Sequence, residues 1–149
     1  MSQPAAGKQP SYFISKGVGE TVQAGEAFAQ LLKPGDVVLL EGEMGTGKTH
    51  FVKGVARYFG IPEEEVQSPT FSLVHEYPGR CVLYHLDCYR MQRPEEALEI
   101  GLEEYLYGSG ITLIEWPEKI APYLPPVCWS VEIRHLKGER REILIHQKS

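Results

Sequence analysis

The 149-residue sequence contains no asparagine, no apolar run near the ~20 residues that a membrane helix needs, and no cysteines at C-x-x-C spacing. Each absence excludes something. Without asparagine there is no Asn-Lys-x-Asp element of the kind GTPases use to read guanine. Met1 to Pro10 have no apolar core of a signal peptide, so a cytoplasmic protein with no membrane partner is expected. Cys81, Cys88 and Cys128 are odd in number, which points to packed, inert thiols and away from a disulfide framework or zinc site. Positive charge is also short. Fifteen Lys and Arg against twenty Asp and Glu leave a net charge of −5, which excludes a surface dominated by a nucleic-acid-binding field. The local exception, Arg134, His135, Lys137, Arg140 and Arg141, is open to two readings, a patch that meets a phosphate backbone or an acidic partner, or the solvated tip of a hairpin, which is favoured.

A hydrophobic fraction of 42% and a charged fraction of 23% are those of a globular chain. Residues 1–10 read as a flexible tail and residues 11–149 as a single domain. Tyr12 to Ile14 suggest an edge strand. Val22, Ala27, Phe28, Leu31 and Leu32 recur at helical spacing until Pro34-Gly35. Val37 to Leu40 form an unbroken apolar run, as in a strand buried on both faces of a parallel sheet. Phe51, Val52, Val55, Ala56 and Phe59 then mark a helix that Gly60 and Pro62 stop. Further strands are expected at Phe71 to Tyr77 and Cys81 to Asp87, joined as a hairpin at Pro78-Gly79, and at Ile111 to Glu115. A helical stretch broken at Gly101 runs from Pro94 to Tyr107, and a short turn from Pro117 to Tyr123. Cys128 to His135 and Glu142 to His146 flank Lys137-Gly138-Glu139 as a second hairpin. The fold class is α/β.

Between the buried strand and the second helix lies Gly42-Glu43-Met44-Gly45-Thr46-Gly47-Lys48-Thr49, which satisfies the P-loop (Walker A) pattern G-x-x-x-x-G-K-[ST]. By accident the pattern should arise in about one chain of this length in a few hundred. Glycines let successive N–H groups point into one concavity at a helix N-terminus, where phosphate oxygens are held. Lys48 is then expected on the β- and γ-phosphates of a nucleoside triphosphate, and the Thr49 hydroxyl on Mg²⁺. Residues Glu43 to His50 are candidate contacts to the nucleotide.

A carboxylate at the end of a neighbouring strand usually completes such a metal site, and Asp87 and Glu115 both close strands. The cleaner apolar run favours Glu115 for the metal, leaving Asp87 either as an acid behind the metal's direct ligands or as the group that orients the attacking water. His85 shares a face with Asp87, and a hydrogen-bonded packing role is favoured for it over catalysis. Thr70, in Ser68-Pro69-Thr70-Phe71, is either a sensor of the γ-phosphate or a capping residue. Trp116 is open to two readings, against nucleotide or against the core.

The P-loop, Ser68-Pro69-Thr70-Phe71, His85-x-Asp87-x-Tyr89-Arg90 and Ile114-Glu115-Trp116-Pro117-Glu118, in that order, resemble the TsaE (YjeE) family of bacterial ATPases, from about residue 18 onward. The resemblance implies a P-loop NTPase-like three-layer sandwich whose mixed sheet has a parallel core and added antiparallel strands. It also implies ATP or ADP and Mg²⁺ as ligands, slow hydrolysis, and TsaB and TsaD as partners in threonylcarbamoyladenosine modification of tRNA, which is met only through the complex. By residue, it implies Lys48 and Thr49 on phosphates and metal, Glu115 on Mg²⁺, Asp87 in hydrolysis, Thr70 in a switch region and Trp116 near the nucleotide. His50 departs from the family, which commonly has a second hydroxyl there. A small-molecule kinase would need an acceptor pocket and lid, for which the stretches between motifs are short. A nucleotide-gated binding module with negligible turnover stays open beside the weak ATPase.

Overall fold

In the computed structural model, which describes residues 11–43, 45–67 and 74–148, the strand Val37–Glu41 (β2) occupies the middle of a seven-stranded sheet. Its position follows from its composition. Val38 and Leu40 project to one face and Val37 and Leu39 to the other, and all four are buried, so helices must cover both faces. The remaining strands are Ser11–Ser15 (β1), Val74–Tyr77 (β3), Leu83–Asp87 (β4), Ile111–Glu115 (β5), Cys128–His135 (β6) and Arg141–Lys148 (β7). The sheet order is β1-β7-β6-β2-β5-β4-β3. β6, β2, β5 and β4 run parallel, while β7, β1 and β3 are added antiparallel. This is the three-layer mixed α/β architecture expected from the sequence. The part of the first hairpin at residues 71–73 lies outside the described residues.

One face of the sheet carries Val18–Ala29 (α1) and Lys48–Tyr58 (α2). Phe28, Phe51, Val52 and Val55 pack there on Val38, Leu40, Leu113 and Val131. The two helices approach closely because glycines meet. A Cβ on Gly54 would lie 1.9 Å from the Val22 carbonyl oxygen, and one on Gly25 would lie 2.1 Å from that of Phe51. The face of α1 differs in part from the one its apolar spacing suggested. Ala27 and Leu31 are exposed, and the buried positions are Thr21, Val22, Ala24, Gly25, Phe28 and Ala29. The reason is that the α-helix stops at Ala29 and tightens into i to i+3 bonds from Leu31 to Phe28 and Leu32 to Ala29, which rotates Leu31 outward.

The opposite face is covered more thinly, by Glu96–Glu99 (α3), Leu102–Leu106 (α4) and the 3₁₀ segment Pro117–Tyr123. Gly101, with φ of +79°, separates α3 from α4 as the sequence indicated. Among the described residues no helix is long and apolar enough to cross a membrane. The parallel strands β2, β4 and β5 end on one rim, and in open α/β sheets the crevice outside those carboxyl ends is where ligands bind. Glu41, Asp87 and Glu115 are the residues that reach it.

Candidate functional site

β2 delivers the chain into the glycine loop, and the loop turns it directly into α2. The last turn before the helix uses Gly47 at φ +108°, a conformation that costs an L-residue roughly 1–2 kcal/mol. Thr46 ties the loop to itself, its N–H and its hydroxyl both donating to the Glu43 carbonyl at 3.3 and 2.8 Å. Because Gly47 is the N-cap, α2 begins with no side-chain cap among the described residues. Its first-turn N–H groups and the positive end of its dipole therefore face outward into a cavity of about 350 Å³. An anion is the natural complement of such a surface.

Lys48 is buried beside this loop. Its ammonium donates to the Gly42 carbonyl at 2.6 Å, lies 3.8 Å from Glu115 Oε1, and sits 4.3 Å from the centre of the Trp116 ring. Burial lowers the Lys48 pKa, opposed by the charges of Glu115, Asp87 and Glu118. The ammonium thus stands in an acidic, partly dry corner, where one more anion gains from an undiluted charge.

The facing wall comes from β4 and β5, whose parallel register sets Asp87 directly beside Glu115. Their environments differ. Glu115 is 4% exposed and accepts a hydrogen bond at 2.6 Å from the fully buried His85 Nε2. Burial works against its charge, but the hydrogen bond and charge of His85 and the nearby Lys48 outweigh it, so its pKa falls below the ordinary carboxylate value. Asp87 is raised instead, chiefly by burial and further by the charge of Glu115. Its Oδ1 accepts the Tyr89 N–H at 2.8 Å, which opposes the rise. The two acids are thereby shifted in opposite directions from their ordinary values, so their environments treat the two charges differently. Trp116 follows at φ +58°, the one non-glycine residue in the left-handed region among those described. A conformation of this kind costs about 1–3 kcal/mol and holds only where surroundings enforce it. Here the ring is fixed between Lys48 and Tyr89, the latter 4.8 Å away between ring centres.

Of the residues singled out from sequence, Gly45, Gly47, Lys48, Thr49, His50, Asp87, Glu115 and Trp116 all line this cavity. Two do not. The exposed Glu43 and the inward-turned Thr46 border a separate cleft with Glu41 and Glu132, because Thr46 is bonded back onto Glu43. Met44 and Thr70 lie outside the described residues. His85 is a packed, hydrogen-bonded strand residue as favoured, yet its partner is the cavity's own carboxylate. His50 has its pKa lowered, by burial first and then by the charges of Lys53 and Arg141.

The structure adds residues that the sequence reading passed over. Gly17, Val18 and Thr21 at the head of α1, and Glu139 and Arg141 from the β6–β7 hairpin, close the far side of the cavity. Arg141 corrects the view of its cluster as a wholly solvated tip. Arg134, Lys137 and Arg140 are exposed, but Arg141 turns inward and donates from Nε to the Thr46 carbonyl at 2.8 Å. It opens β7 opposite His135, and that register aims it at the loop. Charge clustering alone did not distinguish it from its neighbours.

Among the described residues no group of three His, Cys, Asp or Glu forms a metal cage. Beside the His50 ring, the cavity is lined by a set of oxygen donors, the Thr49 hydroxyl and the carboxylates of Glu115 and Asp87. That set fits Mg²⁺ brought in with a polyphosphate, since Mg²⁺ takes one or two carboxylates and leaves its other positions to phosphate and water.

Comparison with known proteins agrees with this geometry. Residues 15–143 match the family model described as threonylcarbamoyl adenosine biosynthesis protein TsaE. A tRNA threonylcarbamoyladenosine biosynthesis protein TsaE from Treponema pallidum is 42% identical over 132 residues, which is 89% of this chain and 97% of that one. The Bacillus subtilis protein of the same name is 42% identical over 125 residues, 83% of this chain and 77% of its own. The crystal structure of Bacillus subtilis YdiB superposes with a TM-score of 0.77 at 33% identity, covering 94% of this chain and 86% of YdiB. With a family model and relatives that span most of its length, the chain belongs to the TsaE family of tRNA threonylcarbamoyladenosine biosynthesis proteins.

Proposed function

We propose that this chain binds Mg·ATP in the cavity at the head of α2 and hydrolyses it slowly, and that it serves tRNA threonylcarbamoyladenosine biosynthesis together with TsaB and TsaD. The observation that carries the reading is the convergence of Lys48, Asp87 and Glu115, from three different elements, on the uncapped start of one helix. The N–H groups of Gly47, Lys48 and Thr49 would donate to the phosphate oxygens, and the Lys48 ammonium would leave the Gly42 carbonyl to span the β- and γ-oxygens. Thr49 and Glu115 would hold Mg²⁺, which when bound draws charge from the phosphate oxygens. Asp87, whose pKa burial raises, is the group that orients water and takes its proton. The Trp116 ring bounds the reacting end, and the Arg141 side of the cavity is left for the nucleoside.

Slow turnover follows from the same picture. Among the described residues no glutamine lines the cavity, and the one arginine that does is bonded to the loop backbone through its Nε. A partner that supplied the missing order would raise the rate, so hydrolysis is expected to increase when TsaB and TsaD are added. Calorimetry with Mg·ATP on the wild type and on Lys48→Ala tests the site. The variant should lose at least ~100-fold in affinity, given the ~1.5–3 kcal/mol of each charged hydrogen bond and the several that Lys48 would make. Equal ATP uptake by a folded Lys48→Ala protein would refute the assignment.

A further inference from the structure

His85 is the one fully buried titratable side chain in β4, a strand whose other buried members, Leu83 and Leu86, are apolar. A ring that carries two nitrogens costs free energy at such a place unless they are partnered. Only Nε2 is. It meets Glu115 Oε2 at 2.6 Å, while Nδ1 has no hydrogen-bond partner among the described residues. An ionised carboxylate only accepts, so Nε2 is the nitrogen that donates. The two oxygens of Glu115 are then unequal. Oε2 is committed to His85, and Oε1 faces the Lys48 ammonium across 3.8 Å, too far for a direct hydrogen bond.

The terminal torsion of a glutamate is broad and roughly two-fold, so burial alone does not fix which way its carboxylate plane faces. Without the hold on Oε2, Coulomb attraction would close the gap to Lys48 and occupy both groups with each other. We propose that His85 is a positioning residue that anchors Glu115 so that Oε1 stays directed into the cavity, available to the divalent cation that accompanies the nucleotide. The inference rests on reading the cavity as a Mg·ATP site. Carboxylates that ligate metals are held by a second group, whose loss typically weakens metal binding by 10–100-fold.

The test uses Mn²⁺ as the probe, followed by electron paramagnetic resonance titration of the full chain with ATP present. His85→Gln keeps an N–H donor at the reach of Nε2, whereas His85→Leu keeps much of the bulk and no donor. Mn²⁺ affinity should fall about 10–100-fold in His85→Leu and return to within about 3-fold of wild type in His85→Gln. ATP affinity measured in EDTA should be the same in all three, a split that general misfolding would not produce. If His85→Leu does not fold, His85→Asn, whose amide is one methylene short of Oε2, takes its place with the same expected loss. Wild-type Mn²⁺ affinity in the leucine or asparagine variant overturns the positioning role alone. Failure of the wild type to take up Mn²⁺ with ATP overturns the Mg·ATP reading itself.

Discussion

The two walls of the cavity are made in opposite ways. The glycine loop, Gly42 to Thr49, is one segment of sequence whose described residues shape it: positive φ at Gly45 and Gly47, and Thr46 bonded back to Glu43. The acidic wall has no local logic of this kind. Its members come from β4 and β5, with His85 and Glu115 thirty residues apart, and they meet only because the parallel register places Asp87 beside Glu115. A wall made of one segment keeps its form when a neighbour changes. A wall made of two strands works as a unit, and each of its side chains sets the charge state or direction of the next.

That contrast can be broken most forcefully at the two carboxylates. Asp87→Asn is expected to lower kcat about 100-fold while leaving Mg·ATP affinity near wild type, because it removes the group proposed to orient water and take its proton. Glu115→Gln should act first on the metal, weakening Mn²⁺ binding at least about 10-fold in the presence of ATP. Steady-state kinetics and metal titration on the same preparations separate the two. Loss of metal affinity confined to Asp87→Asn would exchange their roles and show that the wall's division of labour is not the one proposed for it.

A smaller effect tests the self-sufficiency of the loop. Among the described residues Arg141 is the one side chain from elsewhere in the chain that hydrogen-bonds to the loop backbone, through the Thr46 carbonyl. Arg141→Ala should weaken ATP binding about 10-fold, the loss of one charge-assisted hydrogen bond, and leave kcat at saturating ATP little changed. Isothermal titration and a kcat measurement read both. A variant equal to wild type would mean that the loop holds its form unaided and that the β6–β7 hairpin only borders the cavity.

How much of this was legible in the sequence follows the same division. Val37 to Leu40 announce a doubly covered strand, and the glycine loop announces the turn from that strand into α2, because both depend on neighbours in the chain. Asp87 and Glu115 could be found as strand-ending acids, although nothing in the sequence shows that they sit side by side. The hydrogen bond from His85 and the inward turn of Arg141 were not legible. Strand order decides both, and strand order is a long-range property. Val22, Phe28 and Leu32 are buried as the spacing of the first helix suggested, and Leu31 was misplaced for a different reason, a helix end at Ala29 that puts it in a tighter turn. Glu43 and Thr46 were assigned to the nucleotide by membership in the motif, but the bond between them turns both toward the neighbouring cleft.

The finest test of the acidic wall is its response to acid. Glu115 has a depressed pKa in the fold, so its contribution to stability is fully present above its ordinary value of 4.5 and is lost as pH falls through the lower, folded value. Asp87 has the opposite sign. Its raised pKa means that the folded state takes up a proton before the unfolded chain does, so acidification relieves a cost that is present at neutral pH. Thermal unfolding from about pH 6 to about pH 3, which brackets ordinary carboxylates, should therefore show a shallower acid-side fall of Tm in Glu115→Gln than in wild type, and a steeper one in Asp87→Asn. Parallel curves for all three proteins would mean that neither carboxyl titrates differently in the folded and the unfolded chain, and the opposed shifts of Asp87 and Glu115 would be lost with them.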